Sequence, residues 1–307
     1  MADEVLAGLS AMASLVTGAE CAACGQPEVV LCAACTGELH RKGLKPFPAG
    51  HRAPALGGVP DWTVLAASDY GGEAAQVILA QKHRGHGVLS RELGAMLNRV
   101  IWAFSAPAEG TGGGNAVPRQ LWLVPVPTSG ASFRKRGFDP LALVLRCCAA
   151  AGLPPRCTVM PTLAVRSLPE RLWRSLTAEP GSPDDGAAVP AVCRARRALG
   201  KLLPGRGGGR KGNGQKGLGA SARKARLSGS MRLSLSLRTR HGGGALDGAE
   251  CVLVDDVLTT GATLAEAGRV LEEAGARVLG AVVLAATRPP ADRGSSQEEI
   301  SEQGMNY

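Results

Sequence analysis

The chain has 307 residues, a net charge of +9, 45% hydrophobic residues and only 3% aromatic ones. That length holds one large domain with an appendage, or two domains. So few aromatics leave little material for a base-stacking platform, and no apolar run approaches the roughly 20 residues of a membrane span.

From the N-terminus, Val5, Leu6, Leu9, Met12, Ala13 and Val16 follow helical spacing. Asp3 and Glu4 stand where a secretory signal carries lysine or arginine. The expectation is a short amphipathic helix on a cytoplasmic protein. Nine cysteines, four of them in C-x-x-C pairs, favour metal or reduced thiols over disulfides. Cys21-Ala-Ala-Cys24 and Cys32-Ala-Ala-Cys35 are two knuckles, each able to offer two thiolates to one ion. Together they complete a tetrahedral sulfur site that suits zinc best, although iron takes the same four sulfurs. Four protein ligands leave no open position for a substrate, so the site is expected to be structural. A segment this short buries no core of its own, and the metal would supply its folding free energy. A redox pair is the other reading of a single C-x-x-C; duplication and close spacing speak against it. Cys147, Cys148, Cys157, Cys193 and Cys251 lack ligand spacing and read as packing residues.

Asp69-Tyr-Gly-Gly-Glu73 leads into a helix expected over 74–82, with Lys82 and Arg84 flanking His83 at its end. His83 and His86 read as surface polarity. The run Leu121-Trp-Leu-Val-Pro-Val-Pro127 is strand-like, and its prolines predict an end around Pro125. A polar turn, Thr128-Ser129-Gly130, follows it. Next come the basic segment Phe133-Arg134-Lys135-Arg136-Gly137-Phe138 and a helical pattern over 141–151. By itself that basic segment is equally a solvated turn. Residues 186–246 hold fourteen Lys and Arg and no acid, so the whole-chain charge of +9 leaves −5 elsewhere. Such a stretch, Gly-rich over 204–219, serves either as a soluble loop or as a sequence-independent nucleic-acid contact.

Cys251-Val-Leu-Val254 predicts a strand buried on both faces, as in a parallel sheet, ending at Asp255 and Asp256. Open α/β sheets bind ligands just beyond such strand ends. The loop Thr259-Thr260-Gly261-Ala262-Thr263 has the parts of a phosphate cradle: hydroxyl donors, a permissive glycine, and a helix to follow. Thr263 and Glu266 have capping-box spacing, which predicts a helix capped by Thr263 and running over 264–274. Neither a Walker lysine nor a G-x-G-x-x-G fingerprint is present. Carboxylates that accept from hydroxyls, beside a loop that holds phosphate, suit a sugar phosphate such as phosphoribosyl pyrophosphate. A second strand is expected over 277–287, completing a βαβ unit, with a disordered polar tail over 291–307.

The run Val-Asp-Asp-Val-Leu-Thr-Thr-Gly-Ala-Thr resembles the phosphoribosyl-pyrophosphate motif of type I phosphoribosyltransferases. With the four-cysteine front end, the Tyr-x-Gly helix, the Pro-Val-Pro loop and Arg-x-Arg-Gly-Phe, the order is similar to that of the ComF family (ComFC and GntX-like proteins). The chain departs from that pattern at Asp139 and Pro140, where the family has Asn-Gln. It departs again at Arg226 and Met231, for Asn and Phe, within a stretch otherwise matched by Gln215, Leu218 and Arg223.

The resemblance implies an α/β fold: a type I phosphoribosyltransferase-like parallel sheet flanked by helices, with a small N-terminal zinc-binding module. Expected divisions are 1–60 for the helix and metal module, 61–290 for the main domain with a basic insertion over 167–213, and 291–307 for the tail. It further implies phosphoribosyl pyrophosphate and magnesium as ligands. Asp255 and Asp256 would hold the ribose hydroxyls, and Thr259, Thr260, Gly261, Ala262 and Thr263 the 5-phosphate. Arg134 and Arg136 would hold the pyrophosphate by bidentate bonds. The associated process is DNA uptake in competent bacteria, or else nucleotide metabolism. The alternative is a non-catalytic sensor or assembly factor of DNA import, with single-stranded DNA or competence proteins as partners.

Overall fold

The computed structural model describes residues 19–57, 62–106, 120–167, 170, 229–234 and 246–288. The expected N-terminal helix, nearly all of the basic stretch and the tail lie outside the described residues.

In chain order the elements are α1 (Ala33–Lys42), β1 (Phe47–Pro48), two 3₁₀ turns (Gly50–Arg52 and Pro54–Leu56), β2 (Thr63–Asp69), α2 (Gly72–Arg84) and α3 (Gly87–Ser105). There follow β3 (Leu121–Pro125), α4 (Gly130–Arg136), α5 (Pro140–Ala151), β4 (Cys157–Val159), β5 (Leu163–Val165), β6 (Met231–Leu233), β7 (Glu250–Leu258), α6 (Ala262–Glu272) and β8 (Arg277–Ala286). Six strands form one sheet in the order β1-β2-β8-β7-β3-β4. Only β1, at the edge, is antiparallel to its neighbour. All parallel strands therefore end at the same edge, where α/β sheets carry their ligands.

Period-two alternation explains why the centre of the sheet is dry on both sides. Val252 and Val254 point into a cluster with Leu39, Ile78, Leu93 and Val144, drawn from α1, α2, α3 and α5. Cys251 and Leu253 point the other way, into a cluster with Leu56, Met231, Leu264 and Leu271. Residues Cys251 to Val254 are 0% exposed, as a two-face strand requires. At about 1.5–3 kcal/mol for each fully buried aliphatic side chain, this central pair anchors the domain.

Of the residues that depart from the ComF pattern, Asp139, Pro140 and Met231 have local uses, and Arg226 lies outside the described residues. Asp139 caps α5, its Oδ1 accepting from the N–H groups of Leu141 and Ala142 at 3.0 and 3.2 Å, and Pro140 occupies the first helical turn. Met231 is buried in the second cluster and pairs, as part of β6, with β5. Cys148, Cys157 and Cys251 are buried, and Cys147 half-buried, which fits packing. His83 and His86 are exposed.

The result is an α/β fold with a mostly parallel sheet flanked by helices and a four-cysteine cluster near the N-terminus. Among the described residues, no helix is long and apolar enough to cross a membrane.

Candidate functional site

β3 and β7 run side by side up to the pair Pro125 and Val254. Val126 then makes one more ladder bond, its N–H donating to Val254 O at 2.9 Å, before the chain turns into α4. β7 continues alone against β8. The expected strand end before the acidic pair is therefore corrected: Asp255 and Asp256 lie within β7, with Asp255 opposite Val283 and Leu258 opposite Ala286. Pairing with β8 carries the strand onward after β3 has left.

The divergence opens a cleft of about 250 Å³. One wall carries Thr128, Ser129, Ser132, Arg136 and Pro140; the other carries Asp255, Asp256 and Thr263. Ser129 caps α4, accepting from Ser132 N–H at 3.2 Å, so the polar turn leads directly into a short helix. Arg136 sits in its last turn, and its Nε is buried without a hydrogen-bond partner among the described residues. A buried guanidinium nitrogen left unsatisfied costs about 1–3 kcal/mol, which an incoming oxyanion would recover. Arg134 does not line the cleft; it is exposed, with its side chain folded back beside Gly130.

Burial, then the neighbouring charge of Asp256, push the Asp255 carboxyl up to about 7. The Asp256 N–H donates to Asp255 Oδ1 at 2.8 Å and opposes that rise, as does the charge of Lys82. Lys82 Nζ lies 2.8 Å from Asp256 Oδ2. No residue pattern pointed to this contact, because α2 is remote in sequence from β7. The only hint was a lysine in the last turn of the helix that follows the Tyr-Gly-Gly turn.

Among the remaining expected residues, Thr259 is exposed, Thr260 half-buried and Gly261 buried. Gly261 adopts φ +76° and is the N-cap of α6. A side chain there would stand 2.8 Å from Ala53 Cβ and Leu56 Cγ, so the loop is braced from behind by the 3₁₀ turns. Ala55 N–H donates to Thr260 O at 2.9 Å, and Thr260 Oγ1 accepts from Ala262 N–H at 3.4 Å. The first intrahelical bond runs from Ala265 N–H to Gly261 O. Ahead of it, the N–H groups of Thr263 and Leu264 sit at the positive end of the helix. The predicted capping box does not form, since α6 starts at Ala262. Glu266 is instead buried, paired to Arg269 at 2.9 Å and accepting from Met231 N–H at 3.4 Å.

A second cleft, about 740 Å³, opens at the ends of β2 and β8 along the same edge. Asp69 is held there by Arg52 and by Arg288, whose Nη2 is 2.6 Å away. Burial pushes the Asp69 carboxyl up, but Arg288 and Arg52 together prevail and hold it below its ordinary range. The sequence marked Asp69 only as the lead into a helix.

At the N-terminus, Cys21, Cys24, Cys32 and Cys35 place all four sulfurs within 4.8 Å of one another. The Cys24–Cys32 Sγ separation is 3.7 Å. A tetrahedron with Zn–S near 2.3 Å has edges of about 3.8 Å. Backbone N–H groups already point at sulfur, Cys32 N to Cys21 Sγ at 3.4 Å and Cys35 N to Cys32 Sγ at 3.5 Å. Burial raises the Cys21 thiol, but donors from Cys24, Cys32 and Ala23 prevail and hold it at about 6. The cluster can hold zinc.

Residues 191–304 match the family of the phosphoribosyl transferase domain. That span contains β7, the acidic pair, the loop over 259–263, α6 and β8. No curated protein matches the chain.

Proposed function

We propose that the cleft between β3 and β7 binds phosphoribosyl pyrophosphate and that the chain is a phosphoribosyltransferase-like protein of ComF type. The carrying observation is the facing of two walls: an acidic pair beside a helix N-terminus on one, a buried unsatisfied Arg136 nitrogen on the other. Asp255 and Asp256 accept from the ribose 2- and 3-hydroxyls. Thr263 and the N–H groups at the start of α6 take the 5-phosphate, with Thr259, Thr260, Gly261 and Ala262 shaping the loop around it. Arg136 takes the pyrophosphate, with Thr128 and Ser129 adding hydroxyls; Arg134 joins it only by swinging inward.

In the transfer reaction the bond from the anomeric carbon to the pyrophosphate oxygen breaks, and its electron pair leaves with pyrophosphate. The acceptor's lone pair forms the new bond to that carbon. Positive charge develops on the ribosyl ring, and the two carboxylates stabilise it where it forms. The oxygen donors of Asp255 and Asp256 suit magnesium, which when bound would screen the pyrophosphate charge. Calorimetry with phosphoribosyl pyrophosphate and magnesium tests the reading, with Asp255→Asn/Asp256→Asn as control. An absence of binding at millimolar ligand by the unmodified protein sinks it. Pyrophosphate release across a panel of bases separates an enzyme from a sensor.

The four-cysteine cluster and the basic stretch over 186–246 favour a second reading, an assembly factor or sensor in DNA import acting in the cytoplasm. In that reading the structural zinc module, within 1–60, docks competence proteins, the insertion over 167–213 touches single-stranded DNA through phosphates, and 61–290 senses the ligand. Deleting the basic stretch should then weaken single-stranded DNA binding and flatten its salt dependence. Unchanged affinity after the deletion removes nucleic acid from the proposal.

A further inference from the structure

We infer that Lys82 is a second anion-binding residue of the cleft, resting on Asp256 until a pyrophosphate-bearing ligand draws it across. The inference rests on the proposed ligand and deepens it.

Lys82 belongs to the last turn of α2, and two contacts lock that turn to the wall carrying Arg136. The buried Gln81 side chain donates from Nε2 to Pro140 O at 3.1 Å and to Ser90 Oγ at 3.2 Å. Gly85 ends the helix at φ +63°, and the Phe138 ring fills the space a side chain there would need, 2.8 Å from the ideal Cβ. The lysine stem therefore starts from a fixed point while its ammonium remains movable.

The charges on the walls ask for such a group. Asp255 and Asp256 face Arg136 across the cleft, and Lys82, which stands just outside its lining, restores balance by pairing with Asp256. A pyrophosphate ester brings several further negative charges, more than Arg136 and one magnesium ion together can match. When the ribose hydroxyls donate to Asp256, they replace the hydrogen bond that Lys82 supplied. Both partners keep about a quarter of their side-chain surface exposed, at 27% and 26%, so water and ligand hydroxyls can replace the contact that the ion pair gives up. A lysine suits the task because its three donors sit on a flexible stem and can be re-aimed, unlike the fixed fork of arginine.

The test compares two ligands by calorimetry: phosphoribosyl pyrophosphate, and ribose 5-phosphate, which lacks the pyrophosphate. Lys82→Met keeps the stem and removes the charge; Lys82→Gln also keeps a donor for Asp256, in case the methionine variant folds poorly. Both are expected to bind phosphoribosyl pyrophosphate about tenfold more weakly or worse, and ribose 5-phosphate within about twofold of the unmodified protein. Equal loss for both ligands, or loss for neither, overturns the assignment and leaves Lys82 as a counterion only. If the unmodified protein binds neither ligand, the reading of the cleft fails first and takes this one with it.

Discussion

Asp255 shows how a single carboxyl would tie stability to the proposed binding. Its unfolded value is 3.8, and in the fold it stands near 7 because it is buried beside another acid. Its contribution to stability is complete below pH 3.8 and is lost as pH rises toward 7, because the folded state resists ionisation. Asp255→Asn removes that dependence. Thermal melts should show the variant more stable than the parent at pH 8, by about 1–2 kcal/mol after allowing for partial solvent access, and nearly matched at pH 4. Ligand affinity runs the other way: the parent should bind phosphoribosyl pyrophosphate more tightly at pH 8 than at pH 6, and the variant weakly at both. Arg136 makes the complementary case. Arg136→Met removes a buried donor that has no partner among the described residues, so the melting point should hold or rise while affinity falls about tenfold or more. A fall in both would mean that the guanidinium is structural.

At the scale of elements, the loop before α6 depends on what lies behind it. Gly261 combines a left-handed backbone with a 2.8 Å approach to Ala53 and Leu56. Gly261→Ala should cost about 1–3 kcal/mol by chemical denaturation and weaken ribose 5-phosphate binding along with it. Retained stability with lost binding would place the glycine's role at the ligand instead. Glu266 illustrates how a short pattern misleads. Its spacing from Thr263 fits a capping box, but the backbone had already entered the helix at Ala262. The side chain was then free to pair with Arg269 and to accept from Met231 N–H, pinning β6 to α6. Glu266→Ala leaves the Met231 amide unmatched and removes one of the two acidic partners of Arg269, at about 1–3 kcal/mol. Hydrogen exchange should quicken at 231–233 before it does in β7; exchange rising equally in both would remove that pinning role.

At the scale of the whole molecule, the four-cysteine module and the sheet rest on different supports. The three buried cysteines form a small cluster of their own, joined to one face of the sheet's core only through half-buried residues such as Ala22, Val30 and Leu31, whereas the sheet has two extended apolar faces. Elemental analysis should find one zinc per chain, lost in Cys21→Ser. Limited proteolysis of that variant is expected to cut first within 19–46, with the sheet still protected. Simultaneous collapse of both parts would show that the metal holds the whole fold together.

Local regularities were legible in the chain itself. The apolar run at Cys251 predicted a doubly buried strand, the paired C-x-x-C knuckles predicted four converging sulfurs, and Pro125 marked where β3 ends, because each signal lies within a few consecutive residues. Asp255, Asp256, Arg136 and Thr263 were picked out in the same way and meet in one cleft, whereas Arg134, Thr259, Thr260, Gly261 and Ala262 do not line it. Tertiary structure alone decided the rest. Lys82 reaches Asp256 across 174 positions of sequence, Arg52 and Arg288 meet on Asp69, and β7 outlasts β3 because β8 continues beside it. These facts depend on which strands lie next to each other in the sheet, and neighbouring strands are brought together by long-range burial that no local pattern encodes.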